Sequence, residues 1–175
     1  MSESVFPFRA AAIDVGSNAI RFAAVELLDP HHWTELEVQR VPVRLGHNAF
    51  LTGSLDEQTM TAAVDTMATF RRSLDNLGIA RYRAVATSAV RDSRNGPELV
   101  DRIRRETGIR LETITGTEEA RLVWVALRNR VDLGEDVWVA TDLGGGRLEI
   151  SMISDEGIHW SESHTMGTVR LLEDL

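Results

Sequence analysis

The 175-residue chain contains no cysteine. That removes disulfides, thiolate metal sites and cysteine nucleophiles together. It contains no lysine either, since all 19 basic residues are arginine. Every mechanism that needs a lysine is therefore excluded, including the phosphate-loop lysine of Walker-type NTPases. No apolar run approaches the ~18–20 residues that a membrane span requires. The opening Met1-Ser2-Glu3-Ser4 lacks the basic-then-apolar layout of a secretory signal. A cytoplasmic protein with no membrane partner is the expectation. The net charge is −8 and no basic cluster dominates, which argues against nucleic acid as a partner. A small polyanion stays compatible with that charge, because local arginines and a metal ion matter more at a site than the total. The hydrophobic content of 43% supports the core of one domain, or of one domain plus part of another.

What is present centres on 139–149, Val-Ala-Thr-Asp-Leu-Gly-Gly-Gly-Arg-Leu-Glu. It reads as a strand ending on Asp142, a tight turn of Gly144, Gly145 and Gly146, and a second strand. Without Cβ atoms the turn brings backbone N–H groups close to a ligand, forming a concavity for phosphate oxygens. A carboxylate at the strand end is placed to hold a divalent metal. The same pattern also suits a Gly-rich hairpin with no ligand. A second copy near the start weighs against that alternative: Ala11-Ala12-Ile13-Asp14-Val15-Gly16-Ser17-Asn18, again followed by an apolar, β-prone run. Two Asp-led glycine hairpins far apart suggest a duplicated unit whose loops face one cleft.

Strands are expected at 9–15, 20–28 and 33–43, as an antiparallel meander. Arg21 follows the first loop and either points at a bound anion or is a solvated strand residue. Residues 43–50 read as a loop, in which His47 has no partner at metal spacing. Ser54 and Glu57 form a capping box opening a helix through Met60, Val64, Met67, Phe70 and Leu74, closed by Gly78. A strand at 83–86 leads into Thr87-Ser88-Ala89-Val90-Arg91-Asp92, either a phosphate contact or a polar loop. Pro97 starts a helix that stops at Gly108, and 109–114 is a further strand. Thr115 and Glu118 cap a helix to about Val131, apolar nearly all round at 122–127 and so expected to be buried on most sides. Capping explains Glu118 but not Glu119, which makes Glu119 the candidate base. The helix dipole lowers its pKa and burial raises it. The segments 137–142, 148–153 and 158–164 repeat the opening meander, with a helix start near Thr168.

These residues resemble the exopolyphosphatase/guanosine pentaphosphate phosphohydrolase (Ppx/GppA) family. The resemblance rests on Ile13-Asp14-Val15-Gly16-Ser17-Asn18 with Ile20-Arg21, on Arg44-Leu45-Gly46, and on Ala86-Thr87-Ser88-Ala89-Val90-Arg91-Asp92 with Asn95. It continues through Gly116-Thr117-Glu118-Glu119-Ala120-Arg121, Asp142-Leu143-Gly144-Gly145-Gly146 with Glu149, and Met166-Gly167-Thr168-Val169-Arg170-Leu171. It implies an α/β, actin-like fold of the acetate kinase/sugar kinase/Hsp70/actin type. The first domain would cover 1–117, from Val5 onward, and the second 118–175, incomplete because the family's usual chain continues past Leu175. It further implies that Glu119 orients and deprotonates water, and that Asp142 and Glu149 hold Mg²⁺, with Asp14 also at the metal. Gly144, Gly145, Gly146, Ser17, Asn18, Arg21 and Arg91 would bind phosphates, beside Gly16 of the first turn.

The implied partner is polyphosphate or a (p)ppGpp-type small molecule, and the implied activity is hydrolysis of its terminal phosphoanhydride. Relatives usually carry Ser-Thr after the triple glycine, where this chain has Arg147-Leu148. Arg147 either replaces the lost contacts with a charge-assisted one to phosphate or fills the phosphate site. The alternatives are therefore a catalytically impaired phosphate or nucleotide sensor and, more weakly, a kinase of the same superfamily. Exposed apolar strands in a half-built lobe would favour self-association as a homodimer.

Overall fold

The computed structural model describes residues 6–172. The expected domain start at Val5 and the final residues 173–175 lie outside them. The chain runs β1 (Phe8–Val15), β2 (Ile20–Leu27), β3 (Trp33–Val41), α1 (Gly46–Thr52), α2 (Glu57–Asn76), β4 (Arg81–Ala86), α3 (Ser88–Arg91), α4 (Gly96–Thr107) and β5 (Leu111–Thr113). It continues as α5 (Gly116–Arg128), β6 (Trp138–Leu143), β7 (Leu148–Ser154), β8 (Gly157–His164) and α6 (Thr168–Leu172). Five strands form one sheet in the order β3-β2-β1-β4-β5, and β6-β7-β8 form another. β1 is antiparallel to β2 and parallel to β4, as two-residue alternation and a helical crossover respectively allow.

The core belongs to the first sheet. Ile13 and Val15 on β1, Ile20 and Phe22 on β2, and Ala84 and Ala86 on β4 are buried at alternate positions. α2 meets them with Met60, Val64, Met67, Phe70 and Leu74, a 3–4 spacing that keeps one helix face inward. Phe22 and Phe70 close the contact with ring centroids 5.2 Å apart. α4 packs beside α2, burying Leu99 and Ile103.

Several expectations are corrected here. The N-cap of α2 is Asp56, not Ser54: its Oδ1 accepts the Thr59 N–H at 2.9 Å. Asn95 holds the preceding loop extended, accepting the Leu55 N–H at 2.8 Å and donating to the Leu55 carbonyl, so the helix cannot begin earlier. Residues 46–50, part of the expected loop at 43–50, belong to α1, which ends on Gly53 in the left-handed region. Residues 88–91 form the short helix α3 where loop was one alternative. Helix α5 keeps its expected cap, the Thr115 hydroxyl accepting the Glu118 N–H. It is not buried on most sides, however, and of its residues only Ala120 is buried. β7 and β8 cover one flank, leaving Val123, Trp124 and Leu127 half-exposed.

Candidate functional site

The two Asp-led hairpins have the same local geometry. In the first, Asp14 pairs across the ladder with Arg21; in the second, Asp142 pairs with Glu149. Each four-residue turn is closed by the same bond, from the Gly16 N–H to the Ala19 carbonyl (3.2 Å) and from the Gly144 N–H to the Arg147 carbonyl (2.9 Å). Those two amides are thus used within the turns themselves. The turns also touch: a Cβ built on Gly145 would lie 2.8 Å from Ser17 Cβ. Gly146 is buried, with Phe50 and Ser88 where a side chain would go.

Between the turns lies a cleft of about 330 Å³. Asp14, Gly16, Ser17, Asn18 and Arg21 of the first hairpin line it, and Asp142, Gly144, Gly145, Arg147 and Glu149 of the second line it from across. Glu119, from the first turn of α5, completes the wall together with Thr87, Ser88 and Thr168. Gly146 and Arg91 are not in the wall. Arg91 stands behind it, donating from Nη1 to Glu119 Oε2 (3.1 Å) and to the Ile114 carbonyl (2.9 Å).

Charge is unevenly distributed around this cleft. Arg21 pairs with Asp14 at 2.9 Å and Arg91 with Glu119 at 3.1 Å. Asp142 and Glu149 have no ion-pair partner among the described residues, although they are neighbours across the ladder. Burial pushes the Glu149 carboxyl up to about 7, and the charges of Glu119 and Asp142 push the same way. Burial likewise raises Glu119 above the usual carboxylate range, against the pull of Arg91. It raises Asp14 too, with Arg21 opposing.

With no ion-pair partner among the described residues, Asp142 and Glu149 form a donor pair that suits a divalent ion completed by water and ligand oxygens, the usual environment of Mg²⁺. They do not form a closed cage: among the described residues no three Asp, Glu or His side chains converge to hold an ion. One participant, Ser163, carries no sequence signal, and another, Asp92, lies in the 87–92 stretch without a role of its own there. Ser163, opposite Glu149 on β8, donates to Glu149 Oε1 and accepts from Arg147 Nη1, each at 3.4 Å. Asp92 accepts from Arg147 Nη2 at 3.3 Å and lies 3.5 Å from Arg91 Nε. Only the strand register and the approach of the two sheets bring them in.

Comparison with known proteins bears on the family and the fold. The model of the Ppx/GppA phosphatase family matches residues 25–175. Exopolyphosphatase 1 of Mycobacterium leprae is 30% identical over 166 residues, covering 95% of this chain and 49% of the relative. A guanosine-5'-triphosphate,3'-diphosphate pyrophosphatase of Photobacterium profundum is 28% identical over 93% of this chain and 32% of its own. The crystal structure of an exopolyphosphatase from Cytophaga hutchinsonii superposes with a TM-score of 0.91 at 30% identity, covering 96% of this chain and 54% of that one. The chain therefore spans about half the length of these exopolyphosphatases. The expected α/β, actin-like fold is the one found. With a family model matched from the second strand to the last residue, and with both Asp-led turns on one cleft, the chain belongs to the Ppx/GppA phosphatase family.

Proposed function

We propose that the protein containing this chain hydrolyses terminal phosphoanhydride bonds of inorganic polyphosphate or of a guanosine pentaphosphate, with Glu119 as the base. The observation that carries this reading is the shared cleft, in which two glycine turns and four carboxylates face one another. Hydrolysis needs water aligned with the scissile bond and neutralisation of charge on the phosphoryl oxygens. Glu119 is suited to the first task. Its raised pKa makes it a stronger base than an exposed glutamate, and Arg91 fixes its orientation. It takes the proton of the attacking water; the terminal P–O bridge breaks, and the electron pair leaves with the bridging oxygen of the shortened chain. The amides of Ser17, Asn18 and Gly145, with the side chains of Ser17, Asn18, Arg21 and Arg147, would bind the phosphates, Gly16 and Gly144 closing the turns that present them. Gly146 and Arg91, expected to bind phosphate as well, stand outside the wall and support it from behind.

Asp142 and Glu149 would hold Mg²⁺ as a pair, and Asp14, expected at the metal too, faces them from the first hairpin, paired with Arg21, and does not complete a three-carboxylate cage. When bound, the ion would neutralise phosphoryl charge and lower the cost of bringing a polyanion among carboxylates. In domain terms 1–117 supplies one jaw and 118–175 the other, a division supported by the break between the two sheets.

The test is phosphate release by the naturally encoded protein. Glu119→Gln, close in shape but not a base, is expected to lower kcat by ~10²–10⁴-fold, the usual share of general-base catalysis. Equal rates would overturn the role given to Glu119. A sensor without turnover is the second reading, favoured by Arg147 in the cleft wall. Tight polyphosphate binding with no turnover at any Mg²⁺ concentration would establish it.

A further inference from the structure

The repeat places Ala19 in the first turn where Arg147 stands in the second, since Gly16 bonds to the one carbonyl and Gly144 to the other. The duplicated backbone does not require an arginine there. Its side chain is 27% exposed and lines the cleft. Nη2 is held by Asp92 at 3.3 Å and Nη1 by Ser163 at 3.4 Å, so the guanidinium is anchored from the end of α3 on one side and from β8 on the other. Its Nε–H is buried and has no acceptor among the described residues. A buried charged donor without a partner is costly, so Asp92 and Ser163 do not fully satisfy the guanidinium, and an anionic oxygen meeting its exposed part in the cleft is the partner that suits its charge best.

The charge around Arg147 points the same way. Asp92 is shared among three guanidinium groups, with Arg147 at 3.3 Å, Arg91 at 3.5 Å and Arg170 at 3.8 Å. Arg91 has Glu119 as a second carboxylate, while Arg147 and Arg170 have no other ion-pair partner among the described residues. Arg147 therefore brings to the wall a positive charge that Asp92, shared with Arg91 and Arg170 behind it, only partly offsets, in contrast to the carboxylates Asp142 and Glu149. One bridging side chain, Ser163, separates Arg147 from Glu149, and two, Asp92 and Arg91, separate it from Glu119. An anion on Arg147 is therefore adjacent to the one the carboxylates surround, and is not the same group.

Resting on the hydrolase reading above, we infer that Arg147 binds the second phosphate of the substrate, the leaving group. It thereby selects linked phosphates over a single one. The inner phosphate gains charge as the bridge breaks, so a fixed guanidinium there assists departure as well as binding.

The experiment is calorimetric titration of the naturally encoded protein, with Mg²⁺, by orthophosphate and by imidodiphosphate, whose P–N–P bridge resists hydrolysis. Arg147→Met is expected to weaken imidodiphosphate at least tenfold and orthophosphate less than twofold. Arg147→Lys keeps the charge but not the planar fork, and is expected to fall between parent and Met variant. It also serves if the Met variant fails to melt cooperatively. Equal weakening of both anions, or of neither, overturns the inference while leaving the hydrolase reading intact. Failure of the parent protein to bind either anion removes both.

Discussion

Adjacent carboxylates at one helix start have opposite fates. Arg121 and Arg83 hold Glu118 down to about 2, whereas burial raises Glu119. Capping residues and the apolar block separated the two in the sequence, but Arg83 lies 35 positions from Glu118 and only the fold brings them together. Arg91 shows the opposite problem. Its sequence neighbours suggest a phosphate contact, while its nearest carboxylate is Glu119, from another element. Ser54 and Asp56 are equally good caps by residue type, and Asn95 decides between them. Asp56 offers a direct check. It is pulled down to about 2: burial works to raise it, but hydrogen bonds from Asn48 and Thr59 outweigh that. A folded pKa below the unfolded one contributes stability that is complete above pH ~4 and lost as pH falls toward ~2. Asp56→Ala is expected to lower unfolding stability by ~1 kcal/mol at neutral pH. The gap between parent and variant should close across that acid range, as read by urea titration. A gap that stays constant with pH would mean that the carboxylate charge is not what holds the cap.

The hairpins were legible as elements because their signal is local: an Asp, a glycine turn and β-prone flanks within about ten residues. The short helices α1 and α3 were not. Gly46 and Asn48 are poor helix formers, and α1 exists because Leu45 and Ala49 are buried against the first sheet's core. The turns themselves are defined by packing, which glycine content alone does not disclose. A Cβ on Gly146 would meet Phe50 Cζ at 2.4 Å and Ser88 Oγ at 2.6 Å. Neither neighbour is free to retreat. Arg170 stacks over the Phe50 ring at 4.0 Å, and Ser88 is bonded to Ser17 at 3.0 Å. Gly146→Ala is expected to cost ~1–3 kcal/mol by overpacking and, by moving the turn, to weaken orthophosphate binding. Gly78→Ala is the contrast: φ is +64° and nothing lies within 4 Å, so it carries backbone strain of ~1–2 kcal/mol and leaves binding unchanged. Thermal melts and orthophosphate titration of both variants separate the two effects. Similar binding losses in both would show that strain anywhere in the fold disturbs the cleft.

Across the whole molecule the two sheets differ in how well they are buried. The continuous apolar core runs through elements between Ala11 and Leu111. On the second sheet Ile153 is buried, but Trp138, Val139, Met152 and Trp160 are 42–68% exposed. The apolar pattern of α5 suggested burial on most sides because periodicity reports which residues are greasy, not whether a partner layer covers them. Stability is therefore expected to be graded along the chain. Amides of β1, β2, β4 and α2 should show the strongest protection from hydrogen exchange. Those of β6, β7 and β8 should open with at least ~1.4 kcal/mol less free energy, or tenfold faster exchange. The cleft links these regions through the Gly145–Ser17 contact and the Arg147–Asp92 pair. A ligand touching both turns must then raise protection in both at once, since binding lowers the free energy of the native arrangement alone. Adding imidodiphosphate with Mg²⁺ should slow exchange in peptides covering 14–21 and 142–149 together, with saturation at one ligand concentration. Protection confined to one hairpin, or rising at two different concentrations, would mean that the turns bind separately and that no single polyanion spans them.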